Sequence, residues 1–225
     1  MLRLWQWEIG RAMSAAHGRL GLILTVTSHK GGVAKTTTAM HLGAYLERRD
    51  GEGSTVVVDA DPNGSALGWA RRGRGQLGFS VVSSREAQER GVVREFANVV
   101  VDTQGRPRGE GLRRLVAQCD MLVVPTTPEA GSTETIMLMA RDIEELGGPA
   151  EYRVLLTMVK WYNRRAAQAR RSLEKRGVPL FSSEIRDRAA FATAELRGLP
   201  VYEIKGKGAR DGWADYEAVG REVTG

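Results

Sequence analysis

Two lysines flank a glycine pair in Ser28-His29-Lys30-Gly31-Gly32-Val33-Ala34-Lys35-Thr36-Thr37-Thr38. Gly31 and Gly32 let the backbone turn sharply and approach a ligand closely. Ala39, Leu42, Gly43 and Leu46 follow at helical spacing, so a helix is predicted over Thr36–Arg48. A helix that begins directly after such a loop offers free N–H groups and a positive dipole end, which favours phosphate. Lys35 can reach β- and γ-phosphates as a point charge, and the Thr36 hydroxyl can bind Mg²⁺. The loop residues expected to contact such phosphates are Gly31, Gly32, Val33, Ala34, Lys35, Thr36 and Thr37.

Carboxylates recur at the ends of apolar runs. One run ends Val58-Asp59-Ala60-Asp61-Pro62-Asn63-Gly64, and another ends Val100-Val101-Asp102-Thr103. A carboxylate at a strand end beside a phosphate loop can hold Mg²⁺ directly or through water. Asp and Pro also favour turns, so a capping reading exists for each. Three aspartates at the ends of apolar runs, after a phosphate loop, favour the metal reading.

The elements that must position these groups follow from periodicity. Short β-branched runs cover Leu22–Thr27, Thr55–Val58, Phe79–Val82, Val99–Val101, Met121–Val124 and Val154–Val159. They are apolar on both faces, as strands buried on both sides are. Leu112–Gln118, Ser132–Leu146 and Arg164–Arg176 read as further helices. Strands alternating with helices predict an α/β fold in three layers: a mostly parallel twisted sheet with helices on both faces. In such sheets ligands bind at the carboxyl ends of the strands, where the loop and aspartates lie.

Composition bounds the rest. The chain has 225 residues, 42% apolar and 27% charged, which excludes wholesale disorder and collagen-like repeats. A single domain over 21–225 is expected, preceded by an N-terminal extension over 1–20. Arg3, Glu8 and Arg11 interrupt any signal-peptide core in that extension. No apolar run reaches the roughly 20 residues of a spanning helix. Cys119 stands alone, so no disulfide within the chain and no CxxC metal motif exist. The net charge is +6, and residues 153–210 hold 14 Lys/Arg against five Asp/Glu. Basicity gathered in one stretch suggests a polyanion partner, against a plain solvated face.

The phosphate loop departs from GxxxxGK[ST], because its two glycine positions hold His29 and Ala34. It fits KGGxxK[ST] instead, and so resembles the deviant Walker A motif of the ParA/MinD group of P-loop ATPases. The resemblance covers about residues 21–223. It implies ATP and Mg²⁺ as ligands and a nucleotide-sandwich homodimer in which Lys30 of each chain reaches the partner's nucleotide. Such a lysine would act like an arginine finger. By the same resemblance Asp102 is the Walker B aspartate, and Asp59 and Asp61 form the DxDP switch segment. The implied catalytic residues are Lys30, Lys35 and Asp61, and the implied metal residues are Thr36, Asp59 and Asp102. Asn63 replaces the family's usual Gln, Gln104-Gly105-Arg106 replaces proline-rich sequence, and Thr157 stands where an Asn near the adenine is common.

Within that group, a lone Cys119 argues against iron–sulfur relatives. The end, Gly212 to Glu222, has three acids, one Arg and little apolar face, which argues against a membrane-binding helix. On Arg164–Arg176, Arg164, Arg171 and Lys175 fall within about 40° of one another, with Arg165 and Arg176 extending that face. Ala166, Ala169 and Leu173 lie opposite. Ile185–Phe191 and Lys205–Arg210 resemble two segments near which partition ATPases grip DNA. Arg164, Arg165, Arg171, Lys175, Arg186, Arg188, Lys207 and Arg210 are therefore the candidate contacts to non-specific double-stranded DNA, which would be salt-sensitive. The resemblance implies a cytoplasmic ATPase, nucleoid-associated when ATP-bound, that segregates DNA with a centromere-binding ParB-type adaptor. The alternative is an ATP-gated scaffold that positions a protein cargo.

Overall fold

The computed structural model describes residues 21–91, 95–147, 150–160, 162 and 164–225. The expected extension over 1–20 lies outside the described residues. Seven strands form one sheet: β1 (Ile23–Val26), β2 (Thr55–Ala60), β3 (Ser80–Ser83), β4 (Asn98–Thr103), β5 (Met121–Thr126), β6 (Glu151–Val159) and β7 (Leu180–Arg186). Their order is β3-β2-β4-β1-β5-β6-β7, and every pair is parallel. The three-layer α/β expectation holds. β1, β4 and β5 are buried almost throughout, which explains their unbroken apolar runs.

Successive side chains go to opposite faces. Val57, Val100, Val123 and Leu155 meet α1 (Lys35–Asp50), α2 (Ser65–Gly73), α7 (Ala189–Arg197) and α8 (Lys207–Thr224). Val56, Val58, Leu122, Val124 and Val154 meet α3 (Ser84–Arg90), α4 (Glu110–Ala117), α5 (Ala130–Leu146) and α6 (Arg165–Glu174). Each fully buried Leu or Val contributes roughly 1.5–3 kcal/mol of transfer free energy. The chain reverses its winding direction around β1: β2 lies on one side of it, past β4, and β5 lies on the other. That places a switch point at the carboxyl end of β1.

Several elements escape the sequence pattern. β7 buries only Phe181 and Ile185, because it is the sheet's edge, and its polar alternation hides it among loops. α8 corrects the reading of the C-terminal segment as having little apolar face. It buries Ala209, Gly212, Trp213, Tyr216, Val219, Gly220 and Val223 along one stripe. Glycines there count as core: a methyl group built on Gly220 would collide with the Tyr45 ring of α1. The stripe is spent on the core, and among the described residues no helix is long and apolar enough to cross a membrane. The Lys205–Arg210 segment is helical from Lys207 onward.

Candidate active site

The phosphate loop lies between β1 and α1, at the switch point. Gly32 has φ 68° and Ala34 has φ 60°, so two left-handed residues close the loop. For Ala34 this conformation is uncommon and typical of a functional turn. The Thr38 N–H donates to the Ala34 carbonyl at 2.9 Å, which starts the helix and leaves the preceding amides free for a ligand. Thr157 braces the loop from behind. Its fully buried hydroxyl lies 3.1 Å from both the Val33 and Thr126 carbonyls. Met158, left-handed at φ 54°, lines a cavity of about 290 Å³ beside the loop with Gly32, Thr37, Arg186, Phe191 and Tyr216.

Asp59 and Asp102 stand opposite each other in the β2–β4 register, and Val26 of β1 pairs with Asp102. The Asp102 carboxylate therefore lies beside Thr36 and Lys35 of the phosphate loop. Asp102 is 1% exposed, and neither of its oxygens has a hydrogen-bond partner. Burial raises its pKa to about 7, Asp59 and Asp61 add to the rise, and Thr36 and Lys35 oppose it. An orphaned buried carboxylate beside a threonine hydroxyl is a donor set that suits a hard divalent cation. Among the described residues no group of three His, Cys, Asp or Glu could cage a metal alone.

Asp59 shapes the turn that follows β2. Its two oxygens accept from the backbone N–H groups of Asp61 at 3.1 Å and Leu67 at 2.9 Å. These bonds organise the entry into α2. Asp61 accepts from the Asn63 N–H at 3.0 Å and is half-buried, so its second oxygen remains available.

Lys30 turns toward its own chain. Its ammonium donates to Glu129 at 2.8 Å, Ser132 at 2.9 Å and Thr127 at 3.4 Å, all from the segment joining β5 to α5. Lys30 in turn holds the Glu129 carboxyl below its usual range. The segment after β4 crosses the loop. The Arg106 N–H donates to the Ser28 carbonyl at 2.8 Å, and His29 Nε2 donates to the Pro107 carbonyl at 2.7 Å.

His41, also unread in the sequence, ties the site to the C-terminal half. Its Nδ1–H donates to the Thr37 carbonyl at 2.7 Å, and its Nε2 accepts from the Val201 N–H at 3.1 Å. It stacks on Tyr216 at 4.7 Å, and Tyr216 hydrogen-bonds Thr38 at 3.2 Å. Complete burial drives its pKa down to about 4, against the opposing Thr37 bond, so the imidazole is neutral. A histidine inside a helical apolar run gives no sequence signal of these two long-range bonds.

The cationic candidates separate into two groups. Arg164, Arg165, Arg171 and Lys175 are exposed on α6, with Ala166, Ala169 and Leu173 buried opposite, as expected. Arg186, Arg188, Lys207 and Arg210 lie at the end of β7 and the start of α8, on the other face of the sheet. Acids take up part of that second group. Arg188 pairs with Asp211 at 3.3 Å and Asp215 at 3.4 Å, and Lys207 pairs with Asp211 at 2.7 Å. Arg186 borders the cavity beside the phosphate loop.

Comparison with known proteins agrees with this geometry. Residues 24–201 match the CobQ/CobB/MinD/ParA nucleotide binding domain. The chain is 37% identical over 205 residues to maintenance of carboxysome distribution protein A of Gloeobacter kilaueensis, covering 89% of this chain and 93% of that one. It is 25% identical over 198 residues to protein ParA of Rhizobium radiobacter, covering 82% and 87%. The solved apo McdA of Cyanothece superposes with a TM-score of 0.70 at 18% identity, covering 91% of this chain and 99% of that chain. With its phosphate loop, its switch-point position and a family match across most of its length, this chain belongs to the CobQ/CobB/MinD/ParA nucleotide-binding family and is an ATPase.

Proposed function

We propose that this chain is an ATP-driven positioning ATPase that distributes a protein cargo, with a DNA surface as its track. The observation that carries this reading is the 37% identity to a carboxysome distribution protein over nearly the whole of both chains. In this reading ATP places its phosphates on residues 30–37, and Thr36 and Asp102 hold Mg²⁺. The bound ion would neutralise charge between the β- and γ-phosphates. Lys35 contributes a point charge, Asp61 orients the attacking water, and Lys30 leaves Glu129 to reach the nucleotide of a second copy. The base enters the cavity between Met158 and Phe191. The α6 cations supply sequence-independent phosphate contacts, and an adaptor carried by the cargo stimulates hydrolysis.

The identity to a ParA protein supports a second reading, in which the cargo is a replicon joined through a ParB-type adaptor. A deletion strain discriminates the two. Mispositioned protein foci with normal replicon inheritance support the cargo reading. Replicon loss with normally spaced foci supports DNA partition and overturns it. In vitro, DNA binding is expected with ATP and not with ADP, to weaken with salt, and to be lost in Lys30→Ala. Binding by no nucleotide state, with ATP affinity intact, would remove the DNA track from both readings.

A further inference from the structure

Arg106 sits where a further charge would act on the reacting phosphate. It follows Asp102 by four positions, in the segment that crosses the phosphate loop. A methyl group built on the neighbouring Gly105 would lie 3.6 Å from Lys35 Nζ, the group that marks the phosphate end of the site. The Arg106 N–H is fixed to the Ser28 carbonyl at 2.8 Å. Its side chain makes one hydrogen bond, from Nε to the His29 carbonyl at 3.3 Å, and its terminal nitrogens have no partner among the described residues. The residue is exposed, yet its φ of 64° is left-handed, a conformation an arginine holds only where its surroundings impose it. The bond from His29 to the Pro107 carbonyl pins the segment just beyond Arg106. A left-handed backbone and an unpaired fork of donors thus coincide at the residue next to the one that approaches Lys35.

We propose that Arg106 places its guanidinium on the terminal phosphate of the nucleotide bound by its own chain and stabilises charge there during hydrolysis. A water oxygen bonds to the terminal phosphorus as the bond to the bridging oxygen breaks. The electron pair leaves with ADP, and both water hydrogens end on the released phosphate. Negative charge shifts onto the bridging and equatorial oxygens in that step, and a planar fork of N–H donors is matched to them. This assignment depends on the ATPase activity and is independent of which cargo is moved.

The test uses Arg106→Gly, which deletes the side chain and relieves the strained φ, beside Arg106→Lys. Mg-ADP affinity and melting temperature are expected to match the wild type in both. Turnover of Arg106→Gly is expected to fall about 100-fold, with partial recovery in added guanidinium chloride at low millimolar concentration. Affinity for Mg-ADP with aluminium fluoride, which mimics the phosphoryl group in transit, is expected to fall by a similar factor. Arg106→Lys is expected to fall between the two, because it keeps charge and loses the fork. Wild-type turnover and wild-type aluminium fluoride affinity in Arg106→Gly would overturn the proposal. So would a loss of turnover matched by an equal loss of Mg-ADP affinity with no guanidinium recovery, which would assign Arg106 a backbone role only.

Discussion

The carboxyl end of β1 and the β7 edge hold most of the charged groups singled out above, and they treat charge in opposite ways. At β1, Asp102 is buried with no hydrogen-bond partner. At β7, Arg188 is bridged by two aspartates. A buried charge left without a partner is costly, so it persists where a ligand will supply one. A paired charge at an edge holds elements together and has less left to offer a polyanion. Across that edge, Arg164, Arg171 and Lys175 stand exposed on α6 and at its two ends. The contrast teaches that unsatisfied groups, more than the count of charges, mark where a ligand goes.

The largest test of this contrast removes the buried charge. Asp102 binds a proton in the folded chain up to about pH 7 and in the unfolded chain only up to 3.8. The folded state therefore holds more protons between those values. Stability of the nucleotide-free protein should fall as pH rises through that window, by about 4 kcal/mol from this group. Asp102→Asn is expected to flatten that part of the profile in denaturant melts at pH 4–8, and to abolish Mg²⁺-dependent nucleotide binding. A wild-type slope in the variant would show that Asp102 is not the destabilising charge.

Lys35→Ala comes next. Loss of a charged donor to phosphate should weaken ATP roughly 10- to 100-fold, read by fluorescence polarisation of a labelled ATP, with no loss of stability. At the other region, changing Arg164, Arg171 and Lys175 together to Ala is expected to lower the slope of log affinity against log salt by about three. Lys207→Ala alone is expected to change it by less than one, because Asp211 already holds that ammonium. Equal effects would erase the distinction between free and paired cations. The smallest effect belongs to Glu129→Ala. Freeing Lys30 should lower the ATP concentration needed for dimerisation by roughly two- to fivefold, read by size-exclusion chromatography with ATP.

Local sequence was enough for the loop, for β1, β2, β4, β5 and β6, and for Asp102. These features depend on residues close in the chain and on burial of both sheet faces, which leaves an unbroken apolar run. β7 and α8 were obscured by the same logic. An edge strand alternates polar residues, and α8 packs through Gly212 and Gly220, which carry no apolar side chain to be counted. At the site, Glu129 and Ser132 lie about a hundred residues from the Lys30 they hold, and no local pattern announces that pairing.

Residue type and spacing thus pointed to a phosphate-binding α/β fold, because loop geometry and strand burial are local properties, and the motif's resemblance to a known group added the ATPase. Which charges stand free was settled by folding. The Lys30 contact with Glu129, the bridging of Arg188 and the Arg106 contact with His29 all depend on partners brought from other parts of the chain, whereas Asp59 takes its partners from the turn just beyond it. A side chain's availability is a property of everything packed around it, and that packing exists only once the sheet has closed.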